Sequence, residues 1–328
     1  VKAEIKVFEV IVAVIVVIVL VMLGRKILAG RSIQDTINNA FERAQPAIAL
    51  SFLIALFVCV IFSTTYFCPD FIAAPVSKNA RDVVPLFHVT FIATSVAFFL
   101  TQFGVFYFAF RYRSARAKNA VHIKQNTKLE VAWTLTPTIV FIFLFLWGQV
   151  LWAKITEEPS GDVLVIDVIG QQFSWLAHYA GRDHRLGQND FRLIDNVNTA
   201  GIDFSDPASK DDFIPVQMHV PKGKPVRLLI RSKDVIHSFY IPYLGVKMDA
   251  VPGMITTLSF TPTETTRDMQ KKLKDNDFDF EVACAELCGR MHFAMKLIVV
   301  VDEPAEFETW YNQQPSWIST HNADDLLQ

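Results

Sequence analysis

Apolar positions follow two patterns along this chain. Before about residue 155 they form long, nearly uncharged blocks; after it they come in short runs broken by Pro, Gly and Asp. Four blocks, at 7–23, 47–67, 86–110 and 131–153, predict helices able to cross the ~30 Å hydrocarbon core of a bilayer. The first is short and carries Glu9. Arg25, Lys26 and Arg31 stand where a cleaved signal would show small residues, so the block reads as a retained span. Glu-Glu-Pro-Ser-Gly at 157–161 ends the last helix, because Pro and Gly both disfavour its continuation. Beyond it, runs rich in Val, Ile, Phe and Thr at 163–169, 172–179, 216–220, 226–230, 237–242, 256–260, 278–283 and 295–301 predict strands, and Pro-Lys-Gly-Lys-Pro at 221–225 a turn. Two polar inserts, 181–213 and 261–277, read as loops, with one or two helical turns inside 268–274. The expected fold is a transmembrane α-helical half of four spans, followed by an all-β sandwich or Greek-key barrel.

Charge orients the spans. Residues 111–128 contain Arg111, Arg113, Arg116, Lys118, Lys124 and Lys128 and no acid, which places this loop on the cytoplasmic side. Arg25, Lys26, Arg31 and Arg43 make the first loop basic too, and it lies two crossings away. The β half and the N-terminus are therefore both expected outside, on the periplasmic side of a bacterial inner membrane. Trp147 and Trp152 near the outer end of the last span suit an interface. A net charge of −2 with no sustained basic face excludes nucleic acid as a partner. Asp203, Asp206, Asp211, Asp212, Asp275, Asp277 and Asp279 make the outer half acidic, either as plain solvated surface or as a landing face for a basic protein.

The sharpest chemical signal is Cys-Ala-Glu-Leu-Cys-Gly-Arg-Met-His-Phe-Ala-Met at 284–295. Cys284 and Cys288, four apart in a loop, can turn both sulfurs to one point; His292 and Met295 follow. A second imidazole, His237, lies 47 residues upstream of Cys284 in Asp-Val-Ile-His-Ser-Phe. Thiolates with imidazole and thioether suit copper, and two bridging thiolates can hold two copper ions, each with one imidazole and a weak axial ligand. An exported Cys pair also suits a disulfide, and two Cys with two His suit zinc. Zinc does not seek a thioether, so Met295 favours copper. Cys59 and Cys68, at the membrane, read as small core fillers.

The set resembles, in order, subunit II of the haem–copper cytochrome c oxidases. Glu-Val-Ala-Trp-Thr at 130–134, Asp-Val-Ile-His-Ser at 234–238, Lys-x-Asp-x-x-Pro-Gly at 247–253 and the loop at 284–295 carry the likeness, over about residues 125–310. It implies a membrane hairpin at 71–156 and a cupredoxin-like Greek-key barrel at 157–310, leaving 1–70 as an additional hairpin and 311–328 as a tail. It further implies a binuclear CuA centre with both sulfurs bridging. His292 and the carbonyl of Glu286 would complete one copper, His237 and Met295 the other, while the Glu286 side chain would hold a magnesium ion shared with subunit I. Electrons would pass from cytochrome c through this centre to the haems of subunit I, which reduces oxygen to water and pumps protons. This chain shows no haem ligand set of its own. A CuA-bearing subunit of a nitric oxide reductase and a membrane-tethered copper-binding protein are the alternatives. Glu130 and Glu286 make sense only beside a neighbouring subunit, which counts against the tether.

Relatives carry Trp-Tyr-Trp after Gly-x-Gln, and the first Trp receives the electron. Here the run is Gly170-Gln171-Gln172-Phe173-Ser174-Trp175, so Phe173 stands in that place. Phe173 or Trp175 is expected to be the receiving ring, with core packing as the other use of either. Glu130, at the cytoplasmic start of the last span, would open a proton-uptake path into subunit I; otherwise it is an acid seated in headgroup water. The added hairpin has two open uses. It either packs on its own oxidase or docks a neighbouring respiratory complex, forming a supercomplex whose tethered cytochrome c is the donor.

Overall fold

The computed structural model describes residues 33–71, 75–112 and 125–320. Among the described residues three long helices come first: α1 (Ile33–Phe71), α2 (Lys78–Arg111) and α3 (Thr127–Thr156). The stretches Arg43–Tyr66, Lys78–Arg111 and Thr127–Thr156 are long and apolar enough to cross a membrane. They answer to the expected blocks at 47–67, 86–110 and 131–153. The block at 7–23 lies outside the described residues, and the other three expected spans are present among those described. At ~1.5 Å per residue α2 is roughly 50 Å long, which leaves turns projecting beyond the hydrocarbon.

The chain divides into two compact units. In the first, α1 and the part of α2 from Ile92 onward pack through aromatic rings, with Phe57 and Phe99 edge to face at 4.8 Å and Phe52 against Phe106 at 5.5 Å. The second holds the start of α2, nearly all of α3, and the β domain. There the N-terminal turn of α2 is stitched to the strands. Val76 N–H donates to Tyr243 O (3.1 Å), Lys78 N–H to Thr261 O (3.0 Å), and Ser77 Oγ to Leu244 O (2.6 Å). Gly245 permits this approach: its φ is +62°, and a Cβ there would stand 2.6 Å from Ala80 Cβ.

The β domain is a sandwich of two sheets. One has the order β2 (Ser174–Tyr179), β1 (Leu164–Gln171), β4 (Val226–Ser232), β7 (Thr256–Phe260). The other has the order β3 (Met218–Pro221), β9 (Lys296–Asp302), β8 (Phe280–Cys284), β5 (His237–Ile241), β6 (Val246–Ala250). Period-two alternation sets the inner faces. Val226, Leu228 and Ile230 of β4 and Val299 and Val301 of β9 are buried in one core with Phe239, Phe260 and Phe280. The eight expected strands are present with small shifts at their ends, and β6 is added to them.

The expected helical turns at 268–274 form α4 (Thr266–Leu273), closed by a capping box between Thr265 and Asp268. Helix α5 (Pro304–Gln313) was not foreseen and runs across position 310; its Phe307 and Tyr311 are buried in the sandwich core. A last short helix, α6 (Trp317–Thr320), follows.

The insert at 181–213 folds back over the outer face of β1, where Ala200 and Ile202 cover Ile169. A buried polar network pins it. His178 Nε2 lies 2.8 Å from Asp212 Oδ2 and its Nδ1 3.4 Å from Asp167 Oδ2. Asp212 also accepts from Gly187 N–H (2.9 Å) and Gly181 N–H (3.2 Å), and Asp167 from Asn189 (2.9 Å) and Arg231. Asp212 is fully buried, so it leaves the acidic surface to which the sequence assigned it. Asp275, Asp277 and Asp279 are exposed.

Candidate metal centre

Strands β8 and β9 pair antiparallel, from Phe280 opposite Val299 to Ala283 opposite Lys296, so residues 285–295 form the loop at one end of the sandwich. The loop base is fastened by Cys284 N–H to Met295 O (3.2 Å) and Ala285 N–H to Ser238 O (2.9 Å). Strand β5 pairs with β8 through Phe239 opposite Cys284. That register brings His237 beside a cysteine far from it in sequence.

Five side chains converge there. The Sγ atoms of Cys284 and Cys288 are 3.8 Å apart. His237 Nδ1 is 3.8 Å from Cys284 Sγ, His292 Nδ1 is 3.7 Å from Cys288 Sγ, and Met295 Sδ is 3.8 Å from Cys288 Sγ. His237, Cys284, Cys288 and Met295 are buried and His292 is half-buried. The carbonyl oxygen of Glu286 lies 3.2 Å from Cys284 Sγ, while its side chain is exposed.

This arrangement fits a soft metal. The sulfurs are far beyond the ~2.05 Å of a disulfide. Yet a point ~2.3 Å from one, an ordinary metal–thiolate bond, can lie equally near the other. Such points form a ring about the sulfur–sulfur line, so ions on opposite sides can share both thiolates. Burial, and then the neighbouring Cys284 sulfur, push the Cys288 thiol up to about 11. A bound cation must therefore displace that proton.

The outer partners are ordered too. His237 Nε2 lies 2.7 Å from Asp234 Oδ1, which fixes the ring with Nδ1 toward the sulfurs. Burial pushes the Asp234 carboxyl up. The amide of Gln172, the His237 ring and the amide of Val235 outweigh this and hold it below the usual carboxylate range. Neither Asp234 nor Gln172 was singled out from the sequence. The signal available was the place of Asp234 inside Asp-x-x-His and of Gln172 next to Phe173 in the β1–β2 turn.

The other expected residues fall as follows. Phe173 sits in the β1–β2 turn, half-buried, with its ring edge 3.0 Å from where a Cβ on Gly289 would stand. Trp175 is 3% exposed and packs edge to face on His237 (5.8 Å) and Phe239 (5.4 Å). Glu130 lies in the first turn of α3, a helix whose length separates it from the β domain by roughly 40 Å at ~1.5 Å per residue.

Comparison with known proteins now decides the family. The model for cytochrome c oxidase subunit II, periplasmic domain, matches residues 164–302, and that for the transmembrane domain of the same subunit matches 70–148. The alternative cytochrome c oxidase subunit 2 of Bradyrhizobium diazoefficiens is 33% identical over 254 residues, spanning 76% of this chain and 87% of that one. The chain belongs to the cytochrome c oxidase subunit II family. Cytochrome c oxidase subunit 2 of Thermostichus vulcanus is 26% identical over 72% of this chain and 76% of its own. That of Cereibacter sphaeroides is 28% identical over 68% and 72%. As a subunit II, the chain is the electron-input subunit of a cytochrome c oxidase, an oxidoreductase complex, and associates with other oxidase subunits. It is a membrane protein whose β domain lies outside. The nitric oxide reductase and free-tether readings are not favoured. Residues 1–69 precede both matched ranges.

Proposed function

We propose that this subunit II holds two copper ions between Cys284 and Cys288, and that they carry electrons from a cytochrome c to the haem-bearing subunit I. His292 and the Glu286 carbonyl would serve one ion, His237 and Met295 the other. The observation that carries this reading is the convergence of two thiols, two imidazoles and a thioether, each 3.7–3.8 Å from a neighbouring sulfur. Bound copper would supply a one-electron couple shared over two metal ions and two sulfurs. The sandwich's part is to hold the ligands still: β5 and β8 fix His237 and Cys284, and Asp234 fixes the imidazole tautomer.

The exposed carboxylate of Glu286 is proposed to reach a magnesium ion shared with subunit I. Exposed Leu287 and Phe293 of the copper loop, with Ile236 next to His237, support an apolar face for that subunit. Phe173 is the better placed receiving ring, since it lies against the copper loop and is part-exposed, whereas Trp175 is buried behind His237. Asp275, Asp277 and Asp279 would steer a basic cytochrome c. The stretch 1–70 is proposed as an added hairpin with its N-terminus outside, used for contact within the oxidase or with an adjacent respiratory complex.

Glu130 is proposed to admit protons from the cytoplasmic side. Proton uptake and electron input would then lie at opposite membrane faces, and one experiment separates them. In stopped-flow mixing of reduced cytochrome c with the oxidised complex, the copper band is expected to bleach before any haem is reduced. Glu130→Ala is expected to slow turnover about tenfold or more, since a positioned proton-transfer group contributes at least that much, and to leave the copper phase at its wild-type rate. Haem reduction ahead of copper would contradict the electron route. Equal slowing of both phases would make Glu130 structural.

A further inference from the structure

We infer that Gln172 is a positioning residue of the copper site, clamping its two ligand-bearing segments together; this rests on the copper reading above. Gln172 lies in the turn between β1 and β2. Its backbone N–H donates to Asp234 Oδ2 at 2.7 Å, and the other oxygen of that carboxylate is 2.7 Å from His237 Nε2. Its side-chain Nε2–H donates to the carbonyl of Cys288 at 2.5 Å. One residue thus reaches one imidazole ligand through a single carboxylate and one thiolate ligand through that cysteine's own carbonyl.

The loop needs such a tie. Its base is fastened at Cys284, Ala285 and Met295. Among the described residues, the Gln172 bond is the hydrogen bond that joins 286–292 to a segment outside 284–295; the others there run within the loop. Gly289 keeps the seat open. Its φ of +139° suits glycine, and a Cβ would stand 3.0 Å from Gln172 Nε2 and 3.0 Å from the Phe173 ring. Without the clamp the Cys288 backbone gains freedom, and both the holding of metal and the sulfur's orientation loosen. Loss of an outer-shell partner of this kind typically costs about 10–100-fold in metal affinity.

Gln171 supplies the control. It is the adjacent amide, but its Nε2 donates to Ser174 Oγ at 3.0 Å and does not touch the loop. The test is made on the whole copper-loaded oxidase carrying Gln172→Leu, Gln172→Glu or Gln171→Leu. Copper release to a chelator is followed together with the near-infrared band and the copper hyperfine splitting. Gln172→Leu is expected to release copper roughly tenfold faster or more and to change both spectra. Gln172→Glu, which sets an acceptor against the carbonyl, is expected to change them at least as much, and Gln171→Leu to match wild type. A wild-type release rate and spectrum in Gln172→Leu, or equal changes from Gln171→Leu, would overturn the clamp alone. A wild-type sample without two coppers would overturn the copper reading and the clamp with it.

Discussion

Cys284→Ser is expected to abolish the copper centre as a unit and to slow electron transfer from cytochrome c into the oxidase by about a hundredfold or more, the upper range for outer-shell losses being the lower bound for a ligand. Cys284 Sγ stands 3.8 Å from Cys288 Sγ and 3.8 Å from His237 Nδ1, so the sharing of both sulfurs depends on it. A serine hydroxyl is a hard, protonated oxygen and does not suit reduced copper. The fold should survive, because the loop base is held by backbone bonds at Cys284 and Ala285 that serine retains. Metal content and donor oxidation rate check the outcome; two coppers and an unchanged spectrum in the variant would contradict it.

Asp212→Ala should destabilise the outer domain by about 3–5 kcal/mol, the cost of breaking a buried, hydrogen-bonded charge pair on one side. The carboxylate is fully buried and accepts from His178, Gly187 and Gly181. Truncation strands all three donors at once. Burial alone would lower the pKa of His178; hydrogen bonds to Asp167 and Asp212, and their charge, reverse this and leave it raised. A raised folded value means that the protonated ring contributes stability fully below its unfolded pKa of about 6.5, and that this is lost as pH climbs through the folded value. Wild type is therefore expected to lose denaturant resistance on going from neutral to alkaline pH, and Asp212→Ala to show a shallower loss from a lower start. A variant within about 1 kcal/mol of wild type would show that the insert does not depend on this carboxylate.

These two residues mark what was and was not legible in the sequence. That Cys284, Cys288, His292 and Met295 converge could be read, because a metal site demands residue types, at loop spacings, whatever fold surrounds them. The structure adds why His237 joins them: β5 lies beside β8 in one register. Asp212 could not be read, since a buried acid and a surface acid look alike until His178 is placed against it. Strand β6 was hidden because only Val246 and Ala250 at its ends are buried, with Lys247 and Asp249 exposed and Met248 half-buried between them. Helix α5 had a signal that went unused: Pro304 at a first helical position and Phe307 and Tyr311 four apart on one face. Its first seven residues fall within the expected barrel and only its last three within the expected tail. Gln172 could not be foreseen as a clamp, because its partner is a backbone carbonyl, which no motif records.

The central claim is two coppers in one electronically shared site, and the most direct measurement is metal content of the purified complex taken with the electron spin resonance spectrum of the same sample. The predicted result is two copper ions per chain in this subunit and a mixed-valence signal with the unpaired electron spread over both nuclei. One copper or one zinc per chain, or a signal confined to a single nucleus, would contradict it.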